Sequence, residues 1–400
     1  MVETVTPERV GLSSSHLEEI NPVMQAFVDQ GKIAGISTLV ARRGQVAYFE
    51  CCGMLDVAAK KPLQRDSLFR IYSLTKPVTA VAALMLYEEG RFDLDDPVSP
   101  WIPEFAKFKV WRTRTSGDGQ LDSLEKQITF RHLLTHTSGL GYGIFTEPIE
   151  ADYRAAEVVS PIITLRRPLA EMIRVITSIP LKAQPGAVWH YSVGHDVLGY
   201  LIGLISGQSF DVYLRERIFE PLGMTDTGFH VPQAKLERFG PLYSAPGENG
   251  LVVVDDLITG HFVGDEAAPS GGAGLVSSMP DYLQFMSMLA NDGELNGVRL
   301  LKATTVARMT TNELTGSTYP VHFDEHLWGG MGYGLGIGVQ VEAALEAGVP
   351  AGVFGWAGAS GTNAWIYPAE KMIMLAMPQA FTNHEPSGIF RKMAFDAIVD

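Results

Sequence analysis

Hydrophobic residues follow a strand-like pattern at both ends of the chain and a helix-like pattern between them. Near the start, apolar runs at residues 36–41 and 45–50 flank Arg42-Arg43-Gly44, which is typical of a β-hairpin. Further strands are predicted toward the C-terminus, at residues 332–340, 352–356, 363–367 and 372–377. Strands this far apart in sequence are expected to pair across the helical stretch, so the pattern predicts an α/β fold with a helical insertion.

The helical periodicity divides into segments bounded by capping residues, glycine and proline. Helices are predicted from Ser13 or Ser14 to Gly31, from Ser73 to Glu89, in two pieces within residues 150–180, from Asp196 to Ser206, from Phe210 to Phe219, from Pro280 to Leu289, and from Pro386 onward. Residues 128–140 add a short capped helix that ends in a tight turn. We therefore assign residues 1–75 and 270–400 to a discontinuous α/β lobe and residues 76–269 to a mainly helical lobe, with the active site between them.

The composition is that of an ordinary globular protein and narrows the choice of partners. Hydrophobic residues make up 46% and charged residues 19% of the chain. A net charge of -14 and a pI near 5.2 disfavour nucleic acid or an anionic membrane as a partner. No apolar run approaches the roughly 18 residues of a membrane span. The oligomeric state cannot be predicted from this composition.

The first residues and the cysteines bear on the compartment. Residues 1–8 have neither the basic start nor the apolar core of a signal peptide. Cys51 and Cys52 are adjacent, which does not suit a structural disulfide and fits a reducing compartment. We therefore expect a cytoplasmic protein.

The strongest candidate for chemistry is Ser73-Leu74-Thr75-Lys76. Pro77 is tolerated only in the first turn of a helix, so the helix begins near Ser73 and places Ser73 and Lys76 on one face. A serine within reach of an unprotonated amine is a candidate nucleophile. The alternative is that Ser73 caps the helix and Lys76 is solvated, and the motif alone does not decide. A second match, Ser123-Leu124-Glu125-Lys126, lies in a polar, loop-like segment.

Two histidine pairs have the spacing of metal ligands. His322-Phe323-Asp324-Glu325-His326 matches one zinc-peptidase arrangement, which requires both histidines on one face of a helix. Pro320 and Trp328-Gly329-Gly330 flank the motif and disfavour a helix. His132 and His136 enclose two leucines where a general-base glutamate would stand, so we expect a structural pair and no metal or cofactor.

Tyr191 is the remaining polar candidate. A phenol near a positive charge can pass a proton to a leaving group, as a serine–lysine site requires. The alternative is a tyrosine that stabilises the backbone at the entrance of the following helix. The residue alone favours this structural alternative.

In order and spacing, these segments resemble the class C β-lactamase-like branch of the serine β-lactamase/penicillin-binding-protein superfamily, and the family VIII carboxylesterases in particular. The resemblance covers about residues 10–400 and implies a β-lactamase-like fold, a central antiparallel sheet flanked by helices with a mainly helical lobe. The matching segments are Ser73–Lys76, His136–Leu140, Tyr191–Val193, Pro221–Met224, Gly271–Leu275, Gly332–Gly336 and Trp356–Gly358.

The resemblance also implies roles for individual residues. It makes Ser73 the nucleophile, Lys76 its base and Tyr191 the group that protonates the departing alcohol. The backbone N–H groups of Ser73 and Ala359 would hold the oxyanion. The substrate contacts would come from Trp356, Gly358 and Tyr142. Neither a metal nor an organic cofactor is implied.

Two departures from the family pattern favour a neutral substrate. Val193 replaces an asparagine that contacts the amide side chain of β-lactams, and Trp356 replaces a lysine that helps to hold their carboxylate. The more apolar site suits short-chain esters, with at most weak β-lactam hydrolysis. The expected function is a serine carboxylesterase that acts on small-molecule esters. The alternatives are a class C-type β-lactamase, an acyltransferase of the same fold, and a non-enzymatic acyl-binding or penicillin-recognising protein.

Overall fold

The two ends of the chain form one eight-stranded antiparallel sheet in the computed structural model, which describes residues 2–112, 120–165, 167–247, 250–255, 261–263, 268–323, 326–344 and 348–400. In spatial order the strands are Met331–Tyr333, Gly338–Gln340, Phe354–Ala357, Asn363–Tyr367, Met372–Pro378, Gly35–Arg42, Gln45–Asp56 and Lys61–Pro62. The register places Leu39 opposite Leu375 and, in the predicted hairpin, opposite Phe49. The prediction that strands pair across the helical stretch is confirmed.

One predicted strand is two strands. The segment 332–340 was expected to be continuous, but Met331–Tyr333 and Gly338–Gln340 pair as a hairpin. Gly336 lies in the turn with φ +83°, and a Cβ there would come within 2.2 Å of the Ala80 Cβ. The turn therefore needs glycine both for its backbone conformation and for its close packing on a helix.

Several short ladders lie outside the main sheet. They pair Leu68–Arg70 with Val276–Ser278, Lys109–Trp111 with Leu121–Ser123, Glu294–Leu295 with Val298–Arg299, His322–Phe323 with His326–Leu327, and Leu242–Gly247 with both Gly250–Asp255 and Ala380–Phe381. The last of these ladders takes strands from the segment that the sequence pattern predicted to be mainly helical. Residues 113–119 of the predicted polar loop lie outside the described residues.

The predicted helices are present with shifted ends, except that the first is divided into Ser14–Glu18 and Ile20–Asp29. The α-helices are Ser14–Glu18, Ile20–Asp29, Thr75–Glu88, Phe130–Leu134, Pro148–Ala155, Leu169–Ile176, Gly194–Ser206, Phe210–Leu214, Glu220–Leu222, Met279–Ala290, Ala303–Met309 and Glu385–Asp396. Single 3-10 turns and one π-helical turn at Arg215–Phe219 complete the regular structure. None of the described helices alone has the length and apolar character of a membrane span. Among the described residues, only the pair Gly194–Ser206 and Phe210–Leu222 has both when taken together, and the two parts are bent by 83° relative to each other.

The helix Thr75–Glu88, called here the nucleophile helix, lies at the junction of the helices and the sheet. A 3-10 turn, Tyr72–Leu74, precedes it, so the α-helix begins two residues later than Ser73. Every residue from Thr75 to Leu86 is buried. The helix Gly194–Ser206 packs along it, and the strand Phe354–Ala357 contacts the 3-10 turn. The start of the helix is thus held from both sides.

Candidate active site

Ser73 and Lys76 meet at the start of the nucleophile helix. The Nζ of Lys76 lies 3.3 Å from the Oγ of Ser73 and 2.8 Å from the carbonyl oxygen of Gly272. Lys76 is completely buried, which excludes the alternative of a solvated residue in the first turn. Burial lowers the pKa of Lys76 to about 7, against the opposing charge of Asp196. A large fraction of the amine is therefore neutral near pH 7 and able to accept a proton.

The backbone directly before Ser73 is strained. Tyr72 has φ +43°, in the left-handed region that a side chain disfavours. Its buried ring packs against Phe262 and Phe381, with centroids 5.8 and 6.1 Å away. This packing fixes a conformation that costs on the order of 1–3 kcal/mol and that orients the Ser73 turn.

Tyr191 completes the cluster. Its hydroxyl accepts the indole N–H of Trp356 at 3.2 Å, and its side chain lines the same cavity as Ser73. Burial raises the pKa of Tyr191, so the phenol keeps its proton near neutral pH. Lys76 lies over the face of the Tyr191 ring, with Nζ 4.4 Å from the centroid. Of the two hydrogen-bond partners expected for the Tyr191 hydroxyl, Lys76 contacts the ring instead, and the hydrogen bond to Ser73 stays a prediction.

Asp196 supports Lys76 indirectly and was missed by the sequence reasoning. Its buried carboxylate accepts the Ser270 hydroxyl at 2.5 Å and the Gly272 N–H at 3.1 Å. Burial raises the pKa of Asp196 against these hydrogen bonds and the charge of Lys76. Asp196 thus holds the loop whose Gly272 carbonyl accepts Lys76. The available signal was an acidic residue at the start of an otherwise apolar helix.

The segment after the strand Phe354–Ala357 presses against the residues before Ser73. The Ser360 hydroxyl donates to the Arg70 carbonyl at 2.6 Å, and a Cβ at Gly358 would lie 2.3 Å from the Ile71 carbonyl oxygen. Gly358 therefore contributes a close backbone approach and does not line the cavity described next. Ala359, the predicted second oxyanion donor, lines that cavity together with Ser73.

An apolar cavity of about 230 Å³ opens beside Ser73. Tyr191 and two predicted substrate contacts, Trp356 and Tyr142, line it. The sequence reasoning missed other parts of its wall, namely Ile144, Phe145, Ile163, Phe323 and Trp328. These side chains converge from separate loops, and no local spacing signals that they meet.

The rival motifs do not form comparable sites. His322 and His326 lie on two paired strands, His322–Phe323 and His326–Leu327, so they do not share a helix face; Asp324 and Glu325 lie outside the described residues. Among the residues that the structure describes, no group of three His, Cys, Asp or Glu side chains could hold a metal ion. The Nδ1 of His132 accepts the Thr129 N–H at 3.1 Å, a capping role.

His136 and the second Ser-x-x-Lys segment, Ser123–Lys126, also lack the features of a catalytic site. The Nδ1 of His136 accepts the backbone N–H of Ser192 at 3.2 Å, which fits the structural role expected for that residue. Ser123 is exposed at the end of the short strand Leu121–Ser123. It therefore lacks the buried surroundings that activate Lys76.

Comparison with known proteins shows similarities that extend over most of the chain. The family described as Beta-lactamase matches residues 20–394. The chain is 33% identical over 309 residues to esterase EstB of Burkholderia gladioli, which covers 73% of this chain and 75% of the esterase. It is 32% identical over 305 residues to lovastatin esterase of Penicillium rubens, with 74% and 73% covered. The solved structure of EstCE1, described as a hydrolase with promiscuous acyltransferase activity, superposes with a TM-score of 0.82 at 26% identity and covers 96% of this chain and 99% of EstCE1.

Proposed function

Since the chain belongs to the beta-lactamase family, as a family VIII esterase-like member of the serine β-lactamase superfamily, we propose that it is a serine carboxylesterase that hydrolyses short-chain acyl esters. The observation that carries the proposal is the contact of 3.3 Å between Ser73 and a fully buried Lys76 whose pKa is lowered to about 7. Two relatives, EstB and lovastatin esterase, are also named as esterases.

The acylation step uses the three residues in order. The Ser73 Oγ attacks the ester carbonyl carbon while its proton passes to the neutral Lys76 amine. The carbonyl electron pair moves to the oxygen, which the N–H groups of Ser73 and Ala359 stabilise, each by about 3 kcal/mol. The tetrahedral intermediate then collapses, the bond from carbon to the alkoxy oxygen breaks, and the Tyr191 hydroxyl protonates the departing alcohol.

Deacylation repeats the same steps with water. The Tyr191 phenolate left by acylation takes a proton from a water molecule as the water oxygen attacks the acyl carbon, and the Lys76 ammonium returns its proton to the Ser73 oxygen as that oxygen leaves. The bond between Ser73 and the acyl group breaks, which releases the carboxylic acid. The acylation and deacylation steps together require neither a redox partner nor a metal ion.

The shape and polarity of the cavity support short, neutral substrates. A volume of about 230 Å³ is below the roughly 300–1,000 Å³ of pockets for drug-sized ligands. Trp356 stands where the lactamase pattern has a lysine, and Val193 is fully buried at the position of the asparagine. A β-lactam would therefore find neither the cation for its carboxylate nor the asparagine for its amide side chain.

Acyl transfer to an alcohol is the second candidate function, favoured by the promiscuous acyltransferase activity named for EstCE1. Hydrolysis and transfer share the acyl-serine intermediate and differ only in the acceptor. The two reactions can be distinguished with p-nitrophenyl butyrate in the presence of 1-propanol. Formation of propyl butyrate would show acyl transfer, and formation of butyric acid would show hydrolysis.

The test of the proposal compares p-nitrophenyl butyrate and nitrocefin on the wild-type enzyme. We expect kcat/KM for the ester to exceed that for nitrocefin by at least about a hundredfold, because each lost polar contact to a β-lactam lowers its turnover. Faster nitrocefin cleavage would make the protein a β-lactamase. A single stoichiometric release of p-nitrophenol without turnover would make it an acyl-binding protein.

A further inference from the structure

The loop that forms one wall of the acyl cavity is wrapped around a buried carboxylate. Glu150 has no exposed surface and accepts the backbone N–H groups of four successive residues. The donors are Tyr142 at 3.1 Å, Gly143, Ile144 at 3.0 Å and Phe145 at 3.4 Å. Because all four donors point at one negative charge, the shape of this loop depends on that charge.

A histidine fixes the carboxylate in turn. The Nε2 of His190 lies 2.8 Å from Glu150 Oε1, and its Nδ1 lies 2.8 Å from the Nζ of Lys182. Lys182 forms an ion pair with Glu147, and an ammonium group only donates hydrogen bonds. The Nδ1 of His190 is therefore the acceptor, and Nε2 carries the hydrogen that is donated to Glu150.

This chain of four side chains, Glu147, Lys182, His190 and Glu150, is named here the loop anchor. Its donors and acceptors alternate without conflict. Burial alone would raise the pKa of Glu150, but the hydrogen bonds from His190 and from the loop N–H groups lower it below its usual range. The carboxylate is therefore ionised when the loop is folded around it.

The loop anchor connects the cavity wall with the segment that carries Tyr191. His190 directly precedes Tyr191, and the Phe145 ring packs against both, with centroids 5.8 and 6.3 Å away. Tyr142, Ile144 and Phe145 line the cavity, whereas Glu150 and His190 do not. Any effect of the anchor on substrate is thus transmitted through the loop.

We propose that Glu150, oriented by a single tautomer of His190, is a positioning residue that sets the acyl-chain selectivity of this site. The inference rests on the proposed esterase function and deepens it. The loop presents Ile144 and Phe145 to the acyl chain, so loosening it removes the contacts that distinguish butyrate from acetate. Of the three groups proposed to perform the chemistry, Ser73 and Lys76 are not held by the anchor, and the hydroxyl of Tyr191 is held by Trp356.

The experiment measures kcat and KM of the Glu150→Gln variant on p-nitrophenyl acetate, butyrate and hexanoate. We expect KM for butyrate to rise about tenfold and the butyrate-to-acetate ratio of kcat/KM to fall about tenfold, with kcat on acetate within about threefold of wild type. His190→Gln, whose amide still donates to Glu150, should retain more selectivity than His190→Leu.

Asp281→Asn is the matched control. Asp281 is a buried carboxylate that accepts the Asp226 N–H at 2.6 Å and the Thr227 hydroxyl at 2.9 Å, and it does not line the cavity. Its substitution should lower the melting temperature and leave the ester selectivity unchanged. A purely structural role of Glu150 would instead make the two variants behave alike.

The inference is overturned if Glu150→Gln or His190→Leu keeps the wild-type chain-length profile. It is also overturned if either substitution lowers kcat/KM for all three esters by one common factor. If Glu150→Gln does not fold, the same test is made with the two His190 variants. The inference then requires His190→Leu to lose more of the butyrate-to-acetate selectivity than His190→Gln. Failure of the esterase function itself would look different, because the wild-type protein would then turn over none of the three esters.

Discussion

Trp356 gives this site a neutral donor where the lactamase pattern places a cation. Its indole N–H reaches the Tyr191 oxygen at 3.2 Å, so the phenol can give its own hydrogen toward Ser73. A neutral donor stabilises developing negative charge on Tyr191 less than a lysine would, and it brings no charge that attracts a substrate carboxylate. Trp356 thus gives Tyr191 a hydrogen bond without a charge, which suits a neutral ester better than a β-lactam carboxylate.

Trp356→Phe tests this role, since it keeps an aromatic wall and removes the N–H. We expect kcat on p-nitrophenyl butyrate to fall about tenfold with KM nearly unchanged, because the lost hydrogen bond acts as charge develops on Tyr191. Trp365→Phe is the control; its indole N–H donates to Asn363 at 3.0 Å and not to Tyr191. Equal kcat losses in the two variants would contradict the assignment.

The pH dependence follows from Lys76. In the proposed mechanism the neutral amine is the active form, and burial lowers the pKa of Lys76 to about 7, so kcat/KM should rise tenfold per pH unit below about 7 and level off above it. Lys76→Arg should lower kcat/KM at least about a hundredfold, because a guanidinium does not give up its proton and cannot act as a base. A flat pH profile of the wild-type enzyme between about pH 5 and 9 would show that Lys76 is not the base.

At the scale of elements, the site depends on how closely the strand Phe354–Ala357 and its following turn approach the nucleophile helix. Gly358→Ala would force a methyl group against the Ile71 carbonyl, 2.3 Å away, and move Ala359 from Ser73. We expect activity on p-nitrophenyl butyrate to fall about a hundredfold, comparable to the loss of one oxyanion donor. Thermal melting should also shift downward.

Gly388→Ala is the control for that substitution. Gly388 lies inside the helix Glu385–Asp396, and a Cβ there meets nothing within 4 Å. Alanine should stabilise the helix by roughly 0.5–1 kcal/mol and leave ester hydrolysis unchanged. If Gly358→Ala were as harmless as Gly388→Ala, the close approach would have no catalytic importance.

Local patterns were sufficient to predict most elements but not the contacts between them. The first hairpin and the nucleophile helix are encoded by neighbouring residues, and both are present. The turn at Gly336 was missed because it is imposed by packing against Ala80, which is distant in sequence. The strands Leu242–Gly247 and Gly250–Asp255 were missed for a similar reason, since they form a sheet with residues near the C-terminus.

The candidate site shows the same division. Ser73 and Lys76 were predicted from a local motif that the family resemblance reinforced, and Tyr191 from the resemblance; the structure places the three side chains close together. Asp196 and Glu150 carry no motif, and their importance depends on burial and on hydrogen bonds formed across the fold. The sequence therefore indicated the groups that we propose to react more clearly than the groups that position them.

At the scale of the whole molecule, a buried ion pair joins the segment leading to Ser73 with distant parts of the chain. The Nε of Arg70 lies 2.5 Å from Asp255, and its Nη1 lies 2.8 Å from the Gly240 carbonyl oxygen and 3.3 Å from Gln379. Both charged side chains are almost completely buried. The pair therefore connects the nucleophile segment with the 242–255 hairpin and the end of the main sheet.

Asp255→Asn should lower the free energy of unfolding by about 3–5 kcal/mol, because it leaves the Arg70 charge buried without a counter-ion. Urea denaturation measures this change. Asp122→Asn, which breaks the exposed pair of Asp122 with Arg112, is the control and should leave the midpoint unchanged. Similar midpoints for both variants would mean that the Arg70–Asp255 pair does not contribute to stability.

The most direct measurement is to identify the residue that becomes acylated. Wild type, Ser73→Ala and Ser123→Ala are mixed with p-nitrophenyl butyrate, turnover is followed, and acid-quenched samples are digested for peptide mass spectrometry. The account predicts a butyryl group on the Ser73 peptide, a loss of turnover of at least about a thousandfold in Ser73→Ala, and full activity in Ser123→Ala. Sustained turnover by Ser73→Ala, or a butyryl group on another residue, would contradict it.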